Sequence, residues 1–153
     1  MSIDQRLAEL GITLPEAAAP VAAYVPAVEY GGMLHISGQI SFSGNGSLIK
    51  GRLGEDMDVD AGIAAARRCG IMLLAQIKAA LGSLERVERV VKLGVFVNSA
   101  PGFVDQPKIA NGASELMQDV FGDIGKHARS AVGVAVLPLG VAVEVDAIVA
   151  VKS

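Results

Sequence analysis

Apolar and polar residues alternate through the last part of the chain, from residue 127 to residue 151. The sequence there is HARSAVGVAVLPLGVAVEVDAIVAV, and the segment LPLG at 137–140 interrupts the alternation. A period of two is typical of β-strands, and proline followed by glycine is typical of a turn. The pattern therefore predicts a β-hairpin.

The register of this hairpin decides which polar side chains meet. If the strands pair directly across the turn, Gly133 lies opposite Glu144, and Arg129, Ala131, Gly133 and Glu144 share one face. Arg129 and Glu144 are then roughly 13 Å apart along the ladder, at about 3.3 Å per residue. Small residues between an arginine and a carboxylate leave a hollow that suits a ligand carboxylate or phosphate. The alternative is that both charges are solvated or lie in an interface on an ordinary sheet face.

Other patterns supply the remaining elements. Helical spacing and glycine stops predict three helices, over 3–10, from Asp58 or Asp60 to Gly82, and from Asp105 to Gly122. Alternation predicts a hairpin of 21–30 and 33–42 around Gly31-Gly32, and a strand over 87–97. The order hairpin–helix–strand–helix–hairpin predicts an α+β sandwich with the helices on one face of the sheet.

Length and composition favour one domain over residues 1–153, in which residues 1–20 form an N-terminal helix and linker. Hydrophobic residues make up 52% of the chain and the mean hydropathy is +0.48. A small monomer cannot bury so much apolar surface, and the second face of the sheet needs a cover. A neighbouring subunit is the expected cover, which predicts a homo-oligomer.

Charge and rare residues exclude several classes of function. The net charge of −3 and a pI near 5.3 argue against nucleic-acid binding. No apolar run is long enough to span a membrane, and the N-terminal residues lack a secretory signal, so a cytoplasmic protein is expected. Cys69 falls on an apolar helical stripe and is expected in the core. His35 and His127 have no metal-ligand spacing, so no metal is expected.

Several polar residues remain ambiguous when each is considered alone. Tyr24 in an apolar strand is typical of a core or rim residue, and Ser37-Gly38-Gln39 at a strand end is typical of turn chemistry. Asn111 is either an exposed helical residue or a group that orients a bound ligand. None of these residues defines a site without its neighbours.

Ordered motifs across most of the chain resemble the Rid family, also called YjgF and filed as endoribonuclease L-PSP. The matching motifs are Tyr24-Val25, Ser37-Gly38-Gln39-Ile40, Ala128-Arg129-Ser130 with Val132, Leu137-Pro138, and Val143-Glu144-Val145 with Ala147-Ile148. A longer subgroup is resembled through NSAPGF at 98–103, DQPK at 105–108 and NGASEL at 111–116, all before HARSAVGVA.

This resemblance implies a chorismate-mutase-like fold, a homotrimer and three pockets at the subunit interfaces. It implies that Arg129 binds the carboxylate of a 2-imino or enamino acid and that Glu144 handles the attacking water. The same alignment places further residues in the pocket: Tyr24, Ser37, Gly38, Asn111 and Ala131, the last standing where many deaminases have cysteine. The implied reaction is hydrolysis to a 2-keto acid and ammonia, without cofactor or metal.

Two other functions remain open. A non-catalytic trimer that binds small carboxylates needs Arg129 but no turnover. An endoribonuclease is suggested by one family name, whereas the acidic pI and the absence of a basic patch or paired histidines argue against it.

Overall fold

The computed structural model describes residues 1–19 and 22–153. Its elements follow in the order α1 (Ile3–Glu9), β1 (Ala27–Tyr30), β2 (Met33–Ile40), α2 (Val59–Leu81), β3 (Val87–Asn98), α3 (Gln106–Phe121), β4 (Ala128–Val134) and β5 (Val143–Val151). Each predicted helix and strand is present, although β1 and β2 are shorter than expected. Pro20, which bounds the predicted linker, and Val21, the predicted start of the first strand, lie outside the described residues.

Local sequence signals set the ends of the two long helices. The Asp58 side chain accepts a hydrogen bond from the backbone N–H of Ala61 at 2.8 Å, which caps α2. Gly82 ends α2 in the left-handed conformation, with φ at 83°. Helix α3 ends at Gly122, as its sequence predicts. No helix in the described ranges is both long and apolar enough to cross a membrane.

The five strands form one sheet in the order β1-β2-β5-β3-β4. The predicted first hairpin is confirmed, with Tyr30 opposite Met33 across the turn. The predicted second hairpin is wrong, because β3 lies between β4 and β5 and pairs with both. Helix α3 connects β3 to β4, and this crossover makes the two strands parallel. The 137–140 turn then carries the chain past the end of β3 to its other side.

Helices α2 and α3 cover one face of the sheet, as predicted. The core lies between these helices and the sheet and includes Leu93, Val95 and Val97 of β3, all fully buried. Cys69 of α2 is also fully buried, which confirms its expected place in the core. Among the residues that the structure describes, no helix lies against the opposite face, called here the open face. Val132 is 45% exposed there.

The observed pairing also corrects the predicted sharing of a face by Arg129 and Glu144. Arg129 is level with Leu93, whereas Glu144 is level with Phe96. Leu93 and Phe96 are an odd number of residues apart on β3, so their side chains point to opposite faces. Arg129 therefore lies on the helix side and Glu144 on the open face. The predicted pairing of Gly133 with Glu144 is wrong, because β4 and β5 do not pair: across β3, Gly133 is level with Val143, and a difference of one residue moves a side chain to the other face.

Candidate functional site

A pocket of about 430 Å³ opens beside the carboxylate of Glu144. Its walls come from the linker after α1, the segment before β1, the end of β2 and the turn before β5. Four residues predicted for the site line it together: Tyr24, Ser37, Gly38 and Glu144. We call this the Glu144 pocket. Eight further residues, which the sequence did not assign to the site, complete the walls: Ala18, Ala19, Pro26, Gln39, Ile40, Phe42, Pro138 and Leu139.

A β-bulge in β2 lets the backbone approach Glu144 closely. The pairing of β2 with β5 is regular up to Ile36, is interrupted at Ser37 and Gly38, and resumes at Gln39. A Cβ atom at Gly38 would lie 2.7 Å from Oε2 of Glu144. Only glycine fits here without displacing the carboxylate.

Ser37 has a structural contact within the same pocket. Its hydroxyl donates a hydrogen bond to the carbonyl of Val25 at 3.0 Å. Val25 follows Tyr24, so this bond ties the segment that carries the tyrosine to the bulge. The tyrosine itself is 52% exposed at the rim. Ser37 therefore positions one wall of the pocket.

Burial makes the Glu144 carboxylate a stronger base than that of an ordinary glutamate. Loss of solvent around the side chain raises the pKa of Glu144, and the nearby negative charge of Asp146 raises it further. No lysine, arginine or histidine in the described ranges forms a salt bridge with Glu144. A carboxylate in this state can accept a proton more readily than an ordinary glutamate.

Two buried amides hold the linker against the pocket. Gln76 of α2 donates hydrogen bonds to the carbonyl of Ala18 at 2.8 Å and to Oε1 of Gln39 at 3.3 Å. Gln39 donates in turn to the carbonyl of Ser37 at 3.0 Å. The amides thus connect the linker, the helix and the bulge.

The second group of predicted residues surrounds Arg129 on the helix side of the sheet. Nη1 of Arg129 donates to Oδ1 of Asn111 at 2.8 Å and to Oγ of Ser114 at 3.1 Å. Nη2 donates to the carbonyl of Pro107 at 3.4 Å. All three acceptors belong to α3. We call Arg129, Asn111 and Ser114 the arginine cluster.

The acceptors around Arg129 are neutral, so its positive charge is not compensated locally. A guanidinium group has five N–H donors. Three are used by α3, which leaves Nε–H and one Nη2–H without a partner among the residues that the structure describes. No Asp or Glu in the described part of the chain forms a salt bridge with Arg129. Such an arginine is oriented, half-buried and available to an external anion.

The structure brings Asn111, which the sequence assigned to the pocket, next to Arg129, together with Ser114 and His127, which the sequence did not assign to it. Ser114 is three residues after Asn111 on α3, and this spacing puts both on one helix face. Oγ of Ser114 lies 2.8 Å from Nε2 of His127. His127 is two residues before Arg129, so both side chains point to the same side of the extended chain. These two spacings were the only features of the sequence named here that could have associated Ser114 and His127 with Arg129.

The remaining predicted residue, Ala131, lies one pleat beyond Arg129 on the same face of β4. Its methyl group packs against the core. The predicted site residues thus form two groups in one chain, the Glu144 pocket on the open face and the arginine cluster on the helix side. One chain by itself does not bring the two charged groups together.

Fold and site define an α+β protein in which a pocket beside the Glu144 carboxylate and a hydrogen-bonded arginine cluster lie on opposite faces of one sheet. Residues 4–149 match the family described as "YjgF/chorismate_mutase-like, putative endoribonuclease". The chain belongs to this family, and the resemblance to Rid proteins is confirmed.

Known relatives span nearly the whole chain. Protein TCP17 of Trypanosoma cruzi is 55% identical over 94% of this chain and 90% of its own length. A 2-iminobutanoate/2-iminopropanoate deaminase of Dermatophagoides farinae is 29% identical over 92% of this chain and 95% of its own. A solved structure from Shewanella oneidensis, named "putative endoribonuclease", has a TM-score of 0.94 and 32% identity, covering 99% of this chain and 100% of the other.

Proposed function

We propose that the protein hydrolyses reactive 2-imino or enamino acids to 2-keto acids and ammonia, at sites formed between the subunits of a homotrimer. The observation that carries this proposal is the position of Arg129 and Glu144 on opposite faces of the sheet. Within the described residues, neither group forms a salt bridge. A second copy whose arginine cluster faces the Glu144 pocket completes a site with one anchor and one base.

The arginine cluster supplies the anchor. The free N–H donors of Arg129 bind the substrate carboxylate, while Asn111 and Ser114 hold the guanidinium in place. Fixing the carboxylate also fixes the adjacent imine carbon, which is already electrophilic. Positioning therefore removes much of the entropic barrier to attack by water.

Glu144 supplies proton transfer. Its carboxylate accepts a proton from the attacking water as the C–O bond forms and the C=N bond becomes a single bond, which gives a carbinolamine. The substrate nitrogen enters protonated, so this carbinolamine is neutral. The protonated carboxyl group then returns the proton to the nitrogen, the C–N bond breaks to release ammonia as the C=O bond forms, and the hydroxyl proton passes to the Glu144 carboxylate, from which ammonia takes it as ammonium. The raised pKa of Glu144 suits both halves of this exchange. Every atom comes from the substrate and one water molecule.

The pocket walls favour a short, apolar substrate side chain. Phe42, Ile40, Pro138 and Leu139 present mostly hydrocarbon surface around the carboxylate. The Dermatophagoides farinae relative is named for imino acids with short alkyl side chains. The nature of the walls and this name support the same substrate class.

The test is release of keto acid from freshly generated 2-iminobutanoate, with a no-enzyme control because imines hydrolyse spontaneously. We expect Arg129→Ala and Glu144→Gln each to lower kcat/KM by roughly a hundredfold or more, since each removes a charged group from the transition state. Equal activity in both variants and wild type would overturn the proposal. Carboxylate binding without any turnover would assign the protein as a binding trimer.

A further inference from the structure

Ser114 and His127 lie behind Arg129 and are not assigned to the site by the sequence motifs. Ser114 is only 6% exposed, which is unusual for a polar side chain on a surface helix. Its hydroxyl contacts both the imidazole of His127 and the guanidinium of Arg129. Three side chains from α3 and the start of β4 thus form one hydrogen-bonded chain.

The direction of each hydrogen bond in this chain follows from chemistry. Nδ1 of His127 lies 2.6 Å from the carbonyl oxygen of Gly125, which can only accept, so Nδ1 carries the ring proton. In the neutral ring, Nε2 is then an acceptor. The Ser114 hydroxyl donates its only proton to Nε2, at 2.8 Å. Its oxygen is therefore left to accept from Nη1 of Arg129.

We propose that His127 and Ser114 are positioning residues that fix the orientation of the Arg129 guanidinium for a ligand carboxylate. His127 sets the direction of the Ser114 hydroxyl, and Ser114 together with Asn111 holds Nη1. The outer donors of Arg129 then face away from α3 in one orientation. This inference rests on the proposed function, because it assumes that Arg129 binds the substrate.

The consequence is a separation between binding and chemistry. The Glu144 pocket is on the opposite face of the sheet and does not contact His127 or Ser114. Loss of the Ser114 hydroxyl should therefore weaken substrate binding and leave the proton-transfer step intact. A purely structural role would instead lower the unfolding temperature with little effect on KM.

The first experiment compares KM and kcat for 2-iminobutanoate in wild type, Ser114→Ala and Gln118→Ala. Gln118 is exposed one turn further along α3 and is the matched control. We expect Ser114→Ala to raise KM roughly tenfold, the size of a charge-assisted hydrogen bond, with kcat within about twofold of wild type. An unchanged KM, or a KM change equal to that of Gln118→Ala, would overturn the proposal.

A matched pair at position 127 tests the role of the ring. In His127→Gln the amide oxygen reaches the place of Nε2 and can accept from Ser114, whereas in His127→Asn the shorter side chain keeps only the bond to Gly125. We expect His127→Gln to stay close to the wild-type KM and His127→Asn to match Ser114→Ala. The opposite order of the two variants would contradict the proposed direction of the chain.

Nitrogen-15 NMR of the imidazole separates this inference from the proposed function. The geometry requires the proton of the neutral His127 ring on Nδ1, and Ser114→Ala should shift the Nε2 resonance and that of the Arg129 Nε–H group. These signals are measured without substrate. If the wild type shows no turnover, the proposed function fails, while the two resonances still decide whether the chain orients the arginine. A proton on Nε2 would refute it.

Discussion

The Glu144 pocket and the arginine cluster surround a charged side chain in different ways. Glu144 is partly desolvated, is close to the negative charge of Asp146 on the same strand and lies among apolar walls. Arg129 is held by three acceptors on one helix. Desolvation changes the pKa of a group, whereas several hydrogen bonds fix its orientation. Under the proposed function, the open face would carry proton transfer and the helix side would carry recognition of the substrate.

The largest effect is expected when the two regions are inactivated in different chains. Arg129→Ala and Glu144→Gln are each nearly inactive alone, but unfolding them together and refolding the mixture should restore activity. In random trimers about a quarter of the interfaces combine an intact arginine cluster with an intact Glu144 pocket. Keto-acid release near a quarter of the wild-type value is the expected result.

Each variant refolded alone is the control for this mixture. Light scattering before and after refolding gives the mass of the assembly. A mixture no more active than its components would mean that both groups act within one subunit, against the strand register.

Asn111→Asp is expected to have the next largest effect, on the arginine cluster alone. The new carboxylate would lie in place of Oδ1, 2.8 Å from Nη1 of Arg129, and would form an internal ion pair. An arginine with its own anion has less attraction for a ligand, so KM should rise about tenfold or more. Gln118→Glu adds the same charge elsewhere on α3 and should leave KM unchanged. A KM unaffected by Asn111→Asp would separate Arg129 from substrate binding.

Gly38→Ala is expected to have an intermediate effect, on the Glu144 pocket alone. The added methyl group would displace the Glu144 carboxylate, whose flexible side chain can move aside. Stability should therefore change little, while kcat falls roughly tenfold because the base is misplaced. Gly44→Ala is the control, since a Cβ there meets nothing within 4 Å. Full activity in Gly38→Ala would show that the position of the carboxylate does not limit the reaction.

The smallest effect concerns the pH dependence of kcat/KM. Glu144 must be ionised to accept a proton from water, so the rate falls as the pH drops through its pKa, which lies above that of an ordinary glutamate. Asp146→Asn removes the second cause of the raised pKa. The acid limb of the profile should then move to lower pH but stay above that of an ordinary glutamate, because desolvation, the larger cause, remains. Asp60→Asn, on an exposed turn of α2, should leave the limb in place.

The helices could be predicted closely from sequence because their signals are local. Asp58 and Gly82 mark the ends of α2 within a few residues of chain, and no distant contact is needed to interpret them. Alternation likewise identifies each strand and the two faces of its own side chains.

Strand neighbours could not be predicted in the same way. Alternation does not say which strands pair, and the turn at 137–140 favoured a hairpin that β3 in fact separates. The one available signal was that β3 is apolar on much of both faces, which is typical of a central strand. The family resemblance named Arg129 and Glu144 together, although only the register shows that they lie on opposite faces. Ser114 was not assigned to the site because its contact is with a histidine 13 residues away.

The amide of Gln76 has a consequence for how substrate range can evolve. It contacts the backbone carbonyl of Ala18 rather than a side chain, so the hold on the linker does not depend on which residues stand at positions 18 and 19. Both alanines line the Glu144 pocket. If the pocket holds substrate as proposed, mutations there can enlarge or reduce the room for its side chain while the carboxylate, the bulge and the sheet stay as they are. Selectivity can thus diverge between related proteins before their chemistry does.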